Sequence, residues 1–149
     1  MKSFLVLCLL ISFCGIKSVH AQDFEFNKVR SEDLTLKKVS FDSTANAVVL
    51  REFGTAAIRI DDETGRSYID YEYHVKIKIF NKQGDEEANI QIPLWSYGNG
   101  DTKDELASIA GVTINYTDGQ VIKTNLNDKQ VFTDQKSKYL SVKKFTMPN

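Results

Sequence analysis

The stretch YIDYEYHVKIKIFNKQG, Tyr68 to Gly84, constrains the fold more than any other part of the chain. Ile69, Tyr71, Tyr73, Val75, Ile77 and Ile79 hold one phase of a two-residue period, while Asp70, Glu72, His74, Lys76 and Lys78 hold the other. Successive side chains point to opposite faces only in an extended strand, so this order predicts a strand with one apolar and one polar face. A helix would mix the two sets around its circumference. At about 3.3 Å per residue the run would exceed about 40 Å, longer than the usual strand. A bend, a bulge or a strand shared by two sheets is therefore expected, and the run is assigned as a central sandwich strand, its lysines pairing across strands with acids of the same face.

Neighbouring segments have the same extended character. AVVLREFG and AAIRI are rich in β-branched and apolar residues and read as two short runs broken by Gly54, followed by the polar turn DDETG. Asn81-Lys82-Gln83-Gly84 supplies a glycine turn, and ANIQIPL alternates with Ile90, Ile92 and Leu94 inward, so the two arms are predicted to form a hairpin. Pro93 cannot donate to a ladder, which places the second arm's end or a sheet edge there. SYGNGDTKDE then reads as a loop. In GVTINYTDGQVIKTN the Asp118-Gly119 pair suits a two-residue turn with positive φ at both positions, and the register sets Tyr116 opposite Val121. Short runs follow around Val131 and from Tyr139 to Phe145. KYLSVKKFTMPN reads as a strand entering the turn-type pair Pro148-Asn149 with no returning arm, so either the last strand is unpaired or the chain is a piece of something longer. Ahead of the strands, Ser31 is expected to cap one or two helical turns through Glu32-Asp33-Leu34. No repeat, linker or low-complexity segment interrupts the chain.

Lys2, the apolar run Phe4–Ile16 and the small-residue site Val19-His20-Ala21 have the tripartite layout of a secretory signal peptide, with cleavage expected between Ala21 and Gln22. The apolar run is shorter than the roughly 20 residues a membrane span needs, and Phe13 disfavours lipid attachment at Cys14. The domain reading is thus a signal peptide over residues 1–21, a polar lead-in over 22–41 and one β-sandwich domain over 42–149. Localisation is expected to be exported: periplasm, cell surface or extracellular. Removal of the leader takes Cys8, Cys14 and His20 with it and leaves His74 as the single histidine. The whole chain carries a formal charge of −1, and the leader holds two lysines and no acid, so the remainder is slightly more acidic. Such a balance argues against nucleic acid as a partner.

These counts exclude several chemistries. No thiol is left for cysteine catalysis, and His74, the one available base, sits mid-strand between Glu72 and Lys76 with no Gly-x-Ser-x-Gly turn in the sequence. Zinc wants several His or Cys ligands. Calcium has oxygen-rich candidates in Asp61, Asp62 and Glu63 or in Asn99, Asp101, Asp104 and Glu105, but neither has the spacing of an EF-hand loop, and solvated turn acids are the preferred assignment. Asp70 and Glu72 have a spacing compatible with a glycosidase pair, as have any acids two apart on a strand. Asn115-Tyr116-Thr117 is formally a glycosylation sequon. No catalytic residue, cofactor or metal ligand is assigned. Trp95 and Tyr97, beside the glycine-rich loop, either close the end of the core or form an exposed platform for a sugar ring or a partner.

ANAVVLREFG, HVKIKIFNKQGDEEANIQIPL, IAGVTINYTDGQVIK and KKFTMPN resemble an uncharacterised β-rich domain found in secreted bacterial proteins ahead of a transglutaminase-like domain. The resemblance runs from Asp42 to Asn149 and lies in turn and core positions. It implies an immunoglobulin-like antiparallel β-sandwich without catalytic residues of its own, incomplete at its C-terminus, and followed in the family by a papain-like domain that owns the Cys, His and Asp. The function expected is a non-catalytic exported module that packs against the following transglutaminase-like domain or another extracytoplasmic protein. The alternative is a glycan- or peptide-binding surface using Trp95 and Tyr97.

Overall fold

The computed structural model of the chain describes residues 25–98 and 102–149. The segment read as a signal peptide, with Ala21 and Gln22, lies outside the described residues, as do Asn99 and Asp101. The described residues form an all-β, sandwich-like fold of antiparallel sheets with no closed barrel. Strand β1 (Ala47–Ile60) pairs with β2 (Ser67–Ile79). Strands β3 (Asn89–Tyr97), β4 (Thr102–Lys103), β7 (Phe132–Ser137) and β8 (Leu140–Thr146) form a sheet in the order β4-β3-β8-β7. Strands β5 (Val112–Thr117) and β6 (Gln120–Asn125) form a separate hairpin.

The Asp-Gly hairpin forms as its turn chemistry demands. Asp118 and Gly119 both have positive φ (53° and 79°), and Tyr116 lies opposite Val121. The long alternating run is a single strand, β2, and the irregularity expected along it falls on its partner instead, where the register shifts between Val49 and Arg51.

Four expectations about turns and ladders are overturned. Gly54 does not break a strand: β1 runs through it, because the side of β1 it leaves bare is where the Tyr71 ring lies. A Cβ there would stand 3.1 Å from the Tyr71 hydroxyl and 2.9 Å from the Glu72 carbonyl oxygen. The Asn81–Gly84 segment does not turn β2 back into β3. Asn81 instead caps a 3-10 helix over Lys82–Ala88, accepting from the Gln83 N–H at 3.0 Å, and this helix carries the chain to another sheet. Its seat is the start of β1: Phe80 N–H donates to the Asn46 carbonyl (2.8 Å), Asn81 Nδ2 donates to Asn46 Oδ1 (2.9 Å), and Gly84 packs against the same backbone. The third is β2's place in the sheet. Strand β2 is an edge strand of a two-stranded ribbon, since β1 is its one ladder partner among the described residues. The last is β8, which is not an unanswered arm: it pairs with β3 on one side and β7 on the other. Pro93 fits inside β3 because β4 pairs only with Ser96 and Tyr97, so no ladder crosses the edge where the missing N–H would point.

Burial follows β8. Val142 and Phe145 of this strand, with Val39 of the lead-in, are the buried apolar residues among those described. Side chains from β2 and β6 hold the lead-in in place. The short helix α1 (Ser31–Thr35) begins at Arg30, so Ser31 is its first residue and not its cap. Lys76 Nζ donates to the Lys28 carbonyl (3.0 Å) and meets Asp33 Oδ2 (3.5 Å), Lys78 Nζ donates to the Leu34 carbonyl (3.2 Å), and Lys123 Nζ donates to the Asn27 carbonyl (2.8 Å). The lysines of the polar face therefore serve the lead-in, instead of pairing with Asp70 and Glu72. Asp33 is the buried charged residue of the described chain. Burial pushes its carboxyl up, but hydrogen bonds from Arg30 and the charges of Arg30 and Lys76 outweigh that and hold it below the ordinary range.

Gly84→Ala should destabilise the fold by about 1–3 kcal/mol, the usual cost of forcing atoms into a filled site. The added Cβ would collide with the Asn46 carbonyl oxygen, which is backbone and cannot swing away. Urea denaturation of the two proteins measures this; an unchanged midpoint would show that the 3-10 helix is not seated on Asn46.

Candidate interaction surface

Strands β1 and β2 are 14 and 13 residues long, whereas β3, the next longest, has 9. The ribbon therefore outruns the strands that could cover it. Its distal half, Gly54–Ile60 with Ser67–Tyr73, is exposed on both faces, while His74–Ile79 at its base is half-buried.

Opposed residues of an antiparallel pair share a face. The register sets Ile58 against Ile69, Ala56 against Tyr71, Gly54 against Tyr73 and Ile60 against Ser67. One face of the arm is thus Ile58, Ile60, Ile69, Tyr71 and Tyr73 with two small residues between them. It is uncovered: Ile58 is 80 % exposed, Ile69 71 % and Tyr71 65 %. The two tyrosine rings stack at 6.4 Å between centroids, 17° from parallel. Tyr73 O–H donates to Glu52 Oε1 (2.5 Å), and this bond, with the nearby negative charge, raises the phenol above its ordinary range. Contiguous apolar faces of this kind are uncommon on the surface of a monomer unless something binds there.

The opposite face carries the charged side chains, together with Phe53 and Tyr68. His74 stacks on Phe53 (4.6 Å between centroids, 9°) and its Nε2 lies 2.7 Å from Glu72 Oε1, while Arg59 meets Asp70 at 3.7 Å. Both carboxylates of the spacing that suits a glycosidase therefore face basic partners on an open ribbon, not a cleft. At the tip, Asp61 accepts from the Glu63 and Thr64 N–H groups and from the Thr64 hydroxyl, which keeps its carboxyl below the ordinary range. That carboxylate closes the turn. Asp104 is also occupied, with its Oδ2 accepting from the Trp95 N–H at 3.0 Å and its own N–H donating to the Trp95 carbonyl at 2.7 Å. Glu105 pairs with Lys103 (3.0 Å). Among the described residues no three His, Cys, Asp or Glu side chains gather closely enough to hold a metal ion.

Trp95 and Tyr97 lie on the end of β3, not on the loop that follows. They alternate with half-buried Leu94 and Ser96, share the outward face and are 45 % and 55 % exposed, so neither is sealed into a core. Across β8 this face carries Leu140 and Val142, and beyond them Asp134 of β7. Asp134 Oδ2 receives both Lys136 Nζ and Lys144 Nζ at 2.6 Å, and these two hydrogen bonds bring its carboxyl down to about 2.

The structure thus places Trp95 and Tyr97 together on one sheet and the alternating tyrosines on another. What the sequence reading missed is that Ile69, Tyr71 and Tyr73, assigned to the core, are surface. A signal was present: Ile58 and Ile60 in AAIRI continue the apolar phase to the same length, while no later run is long enough to lie over them. Comparison with protein families, with curated proteins and with solved structures finds no match for this chain. The link to domains that precede transglutaminase-like domains rests on the quoted segments alone.

Asp134 gives the four-stranded sheet an acid sensitivity whose sign follows from its lowered pKa. Its contribution to stability is complete above 3.8, the unfolded value, and is lost as pH falls from there through about 2. Stability measured by urea midpoints should fall over this window in the native chain and fall less in Asp134→Asn; equal slopes would remove Asp134 as the cause.

Proposed function

We propose that this chain is a non-catalytic, exported β-sandwich module that binds another protein through the apolar face of the β1–β2 arm. The observation that carries the reading is the row Ile58, Ile69 and Tyr71, large apolar side chains on one face of a ribbon too long for the rest of the fold to cover. Apolar burial at about 25 cal/mol per Å² makes such a face a strong contact when a partner dehydrates it. Aromatic side chains in its centre suit it further, since tyrosines are enriched at the energetic centres of interfaces. A rigid strand pair also loses little conformational freedom on binding.

The resemblance to the family supplies the partner in this proposal: a transglutaminase-like domain in cis, or another extracytoplasmic protein. Chemistry in such an assembly would belong to the papain-like domain, with this module as its packing surface. Among the described residues no helix is long and apolar enough to cross a membrane.

A second reading has its own observation. Trp95 and Tyr97 are two exposed aromatic rings on one strand face, two residues and so about 6.6 Å apart along the backbone, a spacing on which a glycan or an extended peptide can stack.

Amide hydrogen exchange separates the two. Added transglutaminase-like domain of the secreted bacterial class should protect residues 54–60 and 67–73, and Ile58→Lys with Ile69→Lys should remove the protection while leaving β8 amides slow. An arm that exchanges equally with and without that domain would refute the first reading. A glycan or peptide array in which Trp95→Ala abolishes specific binding would establish the second, and no ligand across a broad panel would sink it.

A further inference from the structure

We infer that the outward face of the four-stranded sheet binds an oligosaccharide bearing carboxylate groups, its rings stacked on Trp95 and Tyr97 and a carboxylate held by Lys136 and Lys144. The inference rests on the second reading above, the aromatic platform, and names the ligand class which that reading leaves open. Trp95 and Tyr97 are 45 % and 55 % exposed on this face. The ladder carries the same face across two further strands: Trp95 lies opposite Leu140, Pro93 opposite Val142, and Val142 opposite Asp134, while Lys144 lies between Gln91 and Phe132. With strands about 4.8 Å apart, β7 and its charges stand about 10 Å across the sheet from the strand of the platform. An oligosaccharide lying across the strands reaches from one to the other.

The two lysines are already arranged around a carboxylate. Lys136 Nζ and Lys144 Nζ both stand 2.6 Å from Asp134 Oδ2, so a single negative charge holds two ammonium groups side by side. One positive charge of the trio is left over, and each ammonium has three donors, of which Asp134 Oδ2 takes one. A ligand carboxylate laid over the pair neutralises that charge and offsets the repulsion between the two cations. Both side chains are within reach of a ligand, Lys136 being 48 % and Lys144 35 % exposed. The hairpin around them has the same sign: residues 132–146 carry Lys136, Lys138, Lys143 and Lys144 against Asp134 alone, in a chain whose formal charge is −1. On the other flank Asp104 is an acid, its Oδ2 taken up by the Trp95 N–H, so the negative end of the ligand is directed towards β7. That the ligand is a sugar and not a peptide follows from the backbone. Extended peptides are held by main-chain pairing at an open sheet edge or in a groove. At the platform both sides of β3 are used: Trp95 pairs with Leu140 on one, and Ser96 and Tyr97 pair with Lys103 and Thr102 on the other. Side chains alone are presented there, and the apolar face of a sugar ring stacks on an aromatic ring without backbone contacts.

Isothermal titration calorimetry with a galacturonate oligosaccharide and its carboxyl-reduced, neutral counterpart tests this. The parent chain should bind the acidic oligomer about tenfold more tightly or better, and added salt should shrink the difference. Lys136→Gln with Lys144→Gln should abolish the preference and leave the neutral oligomer bound, Trp95→Ala should abolish binding of both, and Lys82→Gln, on the 3-10 helix, should change neither. Urea midpoints check that the variants fold, and Lys136→Gln alone, which keeps the Lys144–Asp134 pair, should lower the preference in part if the double variant does not. Equal affinity for the two oligomers, a preference unchanged by the lysine substitutions, or an Asp- and Glu-rich peptide bound in place of the acidic oligomer would each overturn the inference. Equal affinity that Trp95→Ala abolishes would leave the platform reading standing without it. Binding of neither oligomer would also overturn the inference, whereas the platform reading falls only with the broad panel.

Discussion

Strand β8 is the element on which the rest of the described fold depends. It is hydrogen-bonded along both edges and supplies two of the three apolar side chains buried among the described residues, Val142 and Phe145, which point to opposite faces of the sheet. Burying a side chain of this size contributes about 1.5–3 kcal/mol. Among the described residues few others reach that depth, and backbone ladders and polar ties between sheets add to the stability of this part of the fold. The order of the chain fits this. Strands β7 and β8 come last, so β3 has no partner along most of its length until the C-terminal hairpin is made, and the contact is one of high sequence separation.

The polar ties come from lysines. Lys76 and Lys78 of β2 and Lys123 of β6 all donate to carbonyls between Asn27 and Leu34, so one strap of backbone touches two hairpins that share no ladder. Asp33 anchors the strap. A buried carboxylate is costly unless it is paired, and the two cations beside it, Arg30 and Lys76, come from its own helix and from a strand 43 residues on. The same geometry orients α1: Glu32 and Asp33 lie in its first turn and Lys78 reaches the carbonyl of Leu34 near its last, each sign at the end of the helix that favours it.

What was legible in the sequence was local. The two-residue period of Ile69–Ile79 is a property of the strand itself, and Asp118-Gly119 favours positive φ through its own chemistry, so both were read correctly. Partner choice is not local. Asn81-x-x-Gly84 has the composition of a hairpin turn, yet its asparagine caps a 3-10 helix and its glycine is needed because a backbone carbonyl lies against it, and that carbonyl belongs to Asn46. Gly54 misled in the same way: its missing side chain makes room for Tyr71 across the ladder, a reason visible only once β1 and β2 are in register. The position of Trp95 and Tyr97 was placed to within a few residues, but their exposure depends on what the sheet leaves uncovered.

The geometry of the arm sets how a partner must approach it. Side chains of a strand leave the sheet above and below its plane, whereas its backbone donors and acceptors lie within the plane, so a partner on the Ile58 and Tyr71 face meets side chains and leaves the β1–β2 ladder intact. Exclusion of water from the centre of such a contact raises the contribution of each tyrosine there. That gives the unusual length of β1 and β2 a physical rationale, because the face exists only where the ribbon outruns the strands that could cover it.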